Sequence, residues 1–124
     1  MIKLFLAAGS LFAMLSVILG AFAAHGLKSK LGPDMLGVFQ TGVQYQFYHA
    51  LGLLAVGLLL KFIPGSLLGW SGGLMIAGIV CFSGSLYMLA LTGIKWFGPI
   101  TPLGGLFFVI GWLLMLVAVL QGEF

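Results

Sequence analysis

Three long runs of apolar residues limit what this chain can fold into. Residues 4–24, 67–91 and 103–120 contain no charged side chain. A helix of about 20 residues crosses the roughly 30 Å hydrocarbon core of a bilayer. Only 6% of the 124 residues are charged and 62% are apolar, whereas a soluble domain is about one quarter charged. The sequence therefore predicts an all-α integral membrane protein.

A further span is expected between the first and second of these runs. Its cleanly apolar part, residues 50–60, covers only about 16 Å. To cross the membrane, this helix must begin no later than about Val43, which brings Gln44, Gln46 and His49 into the bilayer. We therefore predict a single domain, residues 1–124, with four transmembrane helices in an antiparallel bundle. The spans are expected at about residues 4–24, 43–62, 67–91 and 102–121.

The helix starts and the orientation follow from weaker signals. Asp34, after Gly32-Pro33, is a predicted N-cap for the second helix, and Thr101 is a predicted N-cap before Pro102. The first span also resembles a cleavable signal peptide, although its apolar run is long for a signal core. The membrane face with the first and third connections carries three lysines, and the opposite face carries two. Because lysines are more frequent on the cytoplasmic side, this count favours a cytoplasmic position for the first face.

Most polar residues gather at that same face, where the first and third spans end and the second and fourth begin. We expect His49 about 9 Å inside the membrane boundary, hydrogen-bonded across helices to Tyr87, Ser83 or Ser85. This group of side chains is either an aqueous vestibule and binding site or the structural contact that holds the helices together. The candidate residues are His25, Gln44, Gln46, His49, Ser83, Ser85, Tyr87 and Thr101.

Small residues recur every four positions in two spans and predict close helix packing, within the monomer or between copies. They are Ser16, Gly20 and Ala24 in the first span, and Gly69, Gly73 and Ala77 in the third. Trp70 and Trp96 fit the two membrane interfaces. Trp112 falls within a span, so its indole N–H is expected to find a partner inside the bundle.

Cofactor chemistry has little support in the sequence. His25 and His49 could ligate haem as an axial pair, but we expect no cofactor, with His25 at a helix end and His49 in a structural hydrogen bond. No metal site is expected, because zinc needs more donors than these two histidines and Asp34 provide. His49 has no carboxylate partner in its span, and acid–base catalysis needs such a partner. We therefore expect that this protein is not an enzyme. The net charge of +3 is dispersed and predicts no nucleic-acid surface.

Four ordered motifs resemble the hallmark segments of the domain-of-unknown-function 423 family, which is similar to transmembrane protein 256 of animals. The motifs are GAFAAHG at 20–26, YQFYHAL at 45–51, FSGSLYMLALTG at 82–93 and ITPLGG at 100–105, followed by Gly111-Trp112. The resemblance covers nearly the whole chain. It implies a four-helix protein of the bacterial inner membrane and implies no activity.

These observations favour a non-enzymatic membrane component, such as a small subunit or an assembly partner. Its expected partners are the lipid bilayer and another membrane protein or further copies of the chain. The alternative is an oligomeric transporter or channel for a small solute, ion or proton, with a polar vestibule at one face. The far half of the bundle is almost wholly apolar, so the sequence shows no continuous polar pathway.

Overall fold

The computed structural model describes all residues 1–124 and contains four membrane-length helices. They are α1 (Ile2–Leu27), α2 (Pro33–Phe62), α3 (Ser66–Thr92) and α4 (Ile100–Gln121). The last turn of α1 and one turn within α3 are π-helical, and a 3₁₀ turn precedes α4. The predicted all-α membrane fold is therefore confirmed.

The helices pack as two antiparallel pairs. α1 lies along α2 and α3 lies along α4, while α2 and α3 pack together in the middle of the bundle. A large apolar core fills the half that holds the connection between α2 and α3. A smaller apolar cluster closes the opposite half and consists of Ala23, Leu27, Phe39 and Ala90.

Glycines let the helices approach closely, as membrane bundles require, because lipid gives apolar surfaces no drive to associate. On α4, a Cβ atom at Gly104 would collide with the backbone of Phe82. On α3, a Cβ at Gly78 would collide with the ring of Phe108. These two glycines therefore fix the spacing and register of α3 against α4.

The predicted small-residue stripe on α3 is only partly in the packed face. Gly73 is exposed and a Cβ there would touch nothing within 4 Å. Gly69 and Ala77 are half-buried, and the atom next to Gly69 is the Met1 sulfur. Gly73 does not pack within the monomer, because a spacing of four residues drifts about 40° per step around a helix of 3.6 residues per turn, and its contact with another copy stays a prediction. The fully buried positions of α3 lie on a neighbouring line that includes Ser71, Gly72, Met75 and Gly78.

The stripe on α1 behaves similarly. Ser16 is buried, and Gly20 is half-buried with Val43 of α2 at 3.5 Å from a Cβ built on it. Ala24 is exposed, and its neighbour Ala23 is buried instead. Ala24 therefore does not pack within the monomer, since it lies in the π-helical turn where the helical phase changes, and its contact with another copy stays a prediction.

Two exposed tryptophans lie near opposite ends of the bundle. Trp70 lies five residues before Met75, which contacts Gly52, so it is level with about Gly57 of α2. Trp96 lies in the 3₁₀ turn between α3 and α4. A hydrocarbon core of roughly 30 Å that begins at the level of Gly57 extends to about Phe39, because the 18 residues between them rise about 27 Å. We therefore expect the other membrane boundary near the level of Phe39.

With the boundary at the level of Phe39, His49 is expected about 15 Å inside it, because it follows Phe39 by ten residues. The sequence alone predicts a boundary at Val43 with His49 about 9 Å inside it, and that depth stays a prediction. α2 is helical from Pro33 onward, so both of these levels lie within the helix.

Both predicted N-caps differ from the structure. Gly32 is the N-cap of α2, Pro33 is its first residue, and Asp34 lies in the first turn without a capping bond. α4 begins at Ile100, and the hydroxyl of Thr101 bonds to α3 instead of capping its own helix. In both cases the chain enters the helix earlier than the polar residue that was expected to cap it.

A glycine pair gives a direct test of this packing. We predict that Gly104→Ala lowers the free energy of unfolding by about 1–3 kcal/mol, because the new methyl meets the Phe82 backbone, which cannot give way. Gly73→Ala should change it by less than about 0.5 kcal/mol, since that position is open. Unfolding by sodium dodecyl sulfate in mixed micelles measures both. Equal effects of the two variants would contradict the packing described for α3 and α4.

Candidate functional site

A chain of hydrogen bonds at Gln46 joins three helices near the centre of the bundle. The Tyr87 hydroxyl of α3 donates to Gln46 Oε1 at 2.7 Å. Gln46 Nε2 then donates to the Phe12 carbonyl of α1 at 3.0 Å. The same carbonyl accepts a bond from the Ser16 hydroxyl. One buried carboxamide of α2 therefore links α1, α2 and α3.

His49 forms the corresponding contact to the fourth helix. The Trp112 indole of α4 donates to His49 Nε2 at 2.9 Å, and His49 Nδ1 lies 2.7 Å from the Tyr45 carbonyl. The imidazole also stacks on the ring of Phe108, with centroids 3.5 Å apart and planes within 8°. The prediction that His49 bonds to Tyr87, Ser83 or Ser85 is wrong, because His49 faces α4. The prediction that Trp112 finds a partner inside the bundle is confirmed.

These two bonds determine the tautomer of His49. An indole N–H can only donate, so His49 Nε2 must accept and carries no proton. The proton is therefore on Nδ1, from which it is donated to the Tyr45 carbonyl. The imidazole is neutral, and neither nitrogen keeps a free lone pair. A metal or haem ligand, or a general base, would first have to break the bond to Trp112.

Three serine hydroxyls make further contacts between helices. Ser83 of α3 donates to the Gly42 carbonyl of α2 at 2.7 Å, and Ser71 donates to the Gly111 carbonyl of α4 at 2.6 Å. Ser85 and Thr101 are 2.6 Å apart. The single Ser85 proton is directed to the Phe82 carbonyl, so Thr101 is the donor to Ser85.

The π-helical turn of α3 keeps these side chains on their helix faces. Met75, Ile79, Ser83 and Tyr87 are each four residues apart, and in a regular α-helix this row would drift around the axis. The π turn at Ile79–Ser83 has a longer repeat and compensates for the drift. Ser83 and Tyr87 therefore both reach α2.

Two of the eight predicted site residues lie apart from this network. His25 is exposed in the last turn of α1, and Gln44 is exposed on the outer surface of α2. Ala23 and Leu27, on either side of His25, pack with Phe39, which precedes His49 by ten residues. The two histidines are therefore about 15 Å apart along the bundle. The structure does not bring them together as an axial pair.

A polar layer with apolar packing on both sides consists of Gln46, His49, Ser83 and Tyr87. Ser71 lies apart from it, between Leu68 and Met75 of the large apolar core. The ring of Phe39 lies 4.9 Å from the ring of Tyr87. Together with Ala23, Leu27 and Ala90, Phe39 covers the layer on the side of the connection between α1 and α2. The large apolar core covers it on the side of the connection between α2 and α3. Every buried side-chain nitrogen and oxygen has a hydrogen-bond partner within the protein. The buried part of the predicted polar cluster is therefore satisfied within the protein, whereas Gln44 stays exposed at the outer surface.

The sequence pattern did not predict the acceptors of these interhelical hydrogen bonds. Three of them are backbone carbonyls, at Phe12, Gly42 and Gly111. A carbonyl gives no signal in a residue pattern. Gly42 and Gly111 do provide an indirect signal, because a glycine within a span exposes its backbone to a neighbouring helix.

Comparison with known proteins identifies the group to which this bundle belongs. The family model described as "Protein of unknown function (DUF423)" matches residues 19–105. The chain belongs to the DUF423 family. The resemblance seen in the sequence motifs is therefore confirmed.

Two relatives of this DUF423 protein match over nearly their full length. The chain is 47% identical over 122 residues to the UPF0382 membrane protein SERP0230 of Staphylococcus epidermidis, and the match covers 96% of the chain and 97% of that protein. It is 49% identical over 120 residues to the UPF0382 membrane protein YwdK of Bacillus subtilis, with 96% and 98% covered. No solved structure matches the chain. The four membrane-length helices and the names of these relatives together show an integral membrane protein.

The link between Gln46 and Tyr87 can be measured in this DUF423 protein. We predict a coupling energy of about 0.6–1.7 kcal/mol in a double-mutant cycle of Gln46→Leu and Tyr87→Phe, the range of interhelical hydrogen bonds in membranes. Unfolding by sodium dodecyl sulfate provides the four free energies. Tyr48→Phe is the control, since that hydroxyl bonds to no protein group, and its coupling to Gln46→Leu should be near zero. Equal coupling for both tyrosines would contradict the network.

Proposed function

We propose that this protein is a non-enzymatic component of the bacterial cell membrane that works by binding another membrane protein. The observation that carries the proposal is an exposed polar surface on the outside of the bundle. We call this surface the glutamine face. It consists of Gly20, Gly37, Gln40, Thr41, Val43 and Gln44.

The glutamine face carries carboxamides that the monomer does not satisfy. Gln40 and Gln44 are exposed, and neither makes a hydrogen bond within the protein. Gln44 follows Phe39 by five residues, so with the boundary at the level of Phe39 its backbone is expected about 8 Å inside the hydrocarbon. Polar side chains at such depth usually face protein or water, because lipid tails offer no hydrogen-bond partner. A neighbouring transmembrane helix would supply that partner.

The shape of the glutamine face also suits a second helix. Gly37 and Gly20 are part of it, and a Cβ at Gly37 would touch nothing within 4 Å. Small residues beside polar ones are typical of helix contacts in membranes, since they allow close approach while the polar groups bond across. The Thr41 hydroxyl already bonds to the Gly37 carbonyl of its own helix. The two glutamines are therefore the groups that need the partner.

Several features argue against catalysis. His49 uses both ring nitrogens in hydrogen bonds, and no group of three metal-ligating side chains lies together in the fold. Asp34 is exposed in the first turn of α2, and Glu123 lies beyond the end of α4. Neither carboxylate approaches the buried polar layer. General acid–base work needs such a partner for the histidine.

Transport is the alternative, and the two apolar layers argue against it. A pathway across the bundle would have to open both the Phe39 cluster and the large apolar core. Flux of a solute, ion or proton into proteoliposomes that is lost in His49→Ala and Tyr87→Phe would favour transport over the role proposed above.

A photocrosslinking residue at position 44 tests the partner proposal. With expression from the native promoter, we predict that a benzophenone side chain at Gln44 forms one discrete crosslinked product with a membrane protein. The same side chain at Leu116, exposed on α4, should give only a diffuse background. Gln44→Leu should lower recovery of that partner by at least about fivefold in gentle detergent, since interhelical hydrogen bonds are worth roughly 1 kcal/mol.

The opposite outcome would be equally clear. Purification in gentle detergent without any stoichiometric partner, together with equal crosslinking from positions 44 and 116, would contradict the proposal.

A further inference from the structure

A groove opens to the outside of the bundle between α2 and α4. Its volume is about 690 Å³, within the roughly 300–1,000 Å³ usual for small-molecule sites. Aromatic rings supply most of its walls. The lining residues are Tyr45, Tyr48, His49, Phe82, Gly105, Phe108, Val109 and Trp112.

The walls of this groove are fixed by contacts inside the protein. His49 is held by bonds to Trp112 and Tyr45 and by stacking on Phe108. The ring of Phe82 packs against Tyr45 at 4.8 Å and against Phe108 at 5.4 Å between centroids. A set of rings held in this way presents preformed flat surfaces, which reduces the entropy lost when a planar ligand binds.

The floor of the groove is open because of a glycine. A Cβ built on Gly105 lies 3.8 Å from the Phe82 ring, which is an ordinary contact. Gly105 therefore does not fill a packing notch as Gly104 does. Its missing side chain leaves space in the groove.

Two phenol hydroxyls at the groove lack protein partners. Tyr45 and Tyr48 are 38% and 48% exposed, and neither hydroxyl bonds to another residue. Tyr48 follows Phe39 by nine residues, so with the boundary at the level of Phe39 its backbone is expected about 14 Å inside the hydrocarbon. Tyrosine is normally enriched at the membrane interface, where its hydroxyl finds polar partners. At this depth a phospholipid offers only its acyl chains, and these cannot accept a hydrogen bond.

The ligand must therefore bring its own acceptor deep into the bilayer. It needs a planar ring to stack between aromatic walls, carbonyl oxygens to accept from the tyrosines, and an apolar tail. We propose that the groove binds the ring of an isoprenoid quinone. The proposal concerns binding only and does not depend on the partner proposed for the glutamine face, which lies on the α1 side of α2, whereas the groove lies on its α4 side.

The fluorescence of Trp112 reports on this site, because quinones quench indole emission at short range. The parent for the experiment is the full-length chain with Trp70→Phe and Trp96→Phe, in nanodiscs of a single phosphatidylcholine. The probe is a naphthoquinone with a short isoprenoid tail. We expect quenching of Trp112 that saturates at low quinone content. A chain that keeps only Trp70 should show the weak, unsaturated quenching that accompanies partition into lipid.

Two glycine variants form a matched pair for this measurement. Gly105→Leu places a side chain in the groove and should abolish the saturable quenching. Gly73→Leu adds the same side chain on an open surface of α3 outside the groove and should leave it unchanged. Tyr45→Phe with Tyr48→Phe should weaken binding about tenfold, the effect of losing two ordinary hydrogen bonds. If Gly105→Leu does not fold, the quinone affinity of this tyrosine variant tests the proposal instead.

Three results would overturn the proposal. Equal, unsaturated quenching of Trp112 and Trp70 would mean that the groove holds only acyl chains. Loss of a dimer in Gly105→Leu by native mass spectrometry, without saturable quenching in the parent, would mean that a second copy occupies the groove. Unchanged affinity in the tyrosine variant would show that the tyrosines do not recognise the ring. The same tail without its ring should not compete with the quinone.

Discussion

The structure depends on one constraint, the need of polar groups within a bilayer to find partners inside the protein. α2 carries Gln46 and His49 at mid-depth, where neither water nor lipid can satisfy them. Gln46 reaches α1 and α3, and His49 reaches α4. Because one helix holds both residues, all four helices are positioned relative to α2. These bonds also fix the tautomer of the histidine and occupy both of its nitrogens.

The four spans were predictable from the sequence because hydropathy reflects a property of single segments. The polar layer was also predictable, since the apolar run at residues 50–60 is too short to cross a bilayer. The partners were not. His49 pairs with Trp112, 63 residues later, and that pairing requires the rotation of α2 against α4. The π turn in α3 leaves no trace that residue spacing can reveal. The glycine at position 42 indicates an exposed backbone carbonyl but does not indicate which side chain bonds to it.

The polar side chains inside the bundle differ from those on its outer surface in whether they have hydrogen-bond partners. Inside the bundle, hydroxyl, carboxamide and imidazole groups are satisfied and hold the helices together. Outside it, the glutamines of the glutamine face and the tyrosines of the groove have no protein partner, although all lie on a helix that crosses the bilayer. This difference is the basis of our two proposals, which both concern the membrane-facing surfaces of this DUF423 protein and not its core.

The central claim is that the packed helices keep water from the polar groups at Gln46, Ser83 and Tyr87, and thiol labelling tests it most directly. In a chain with Cys81→Ala, Ser83→Cys places a thiol in the layer, while Thr92→Cys places one at the exposed end of α3. A charged, membrane-impermeant methanethiosulfonate should label position 92 readily and leave position 83 unmodified from either side of the membrane. Rapid labelling of position 83 would mean that water reaches the layer, and this would contradict an enclosed polar core.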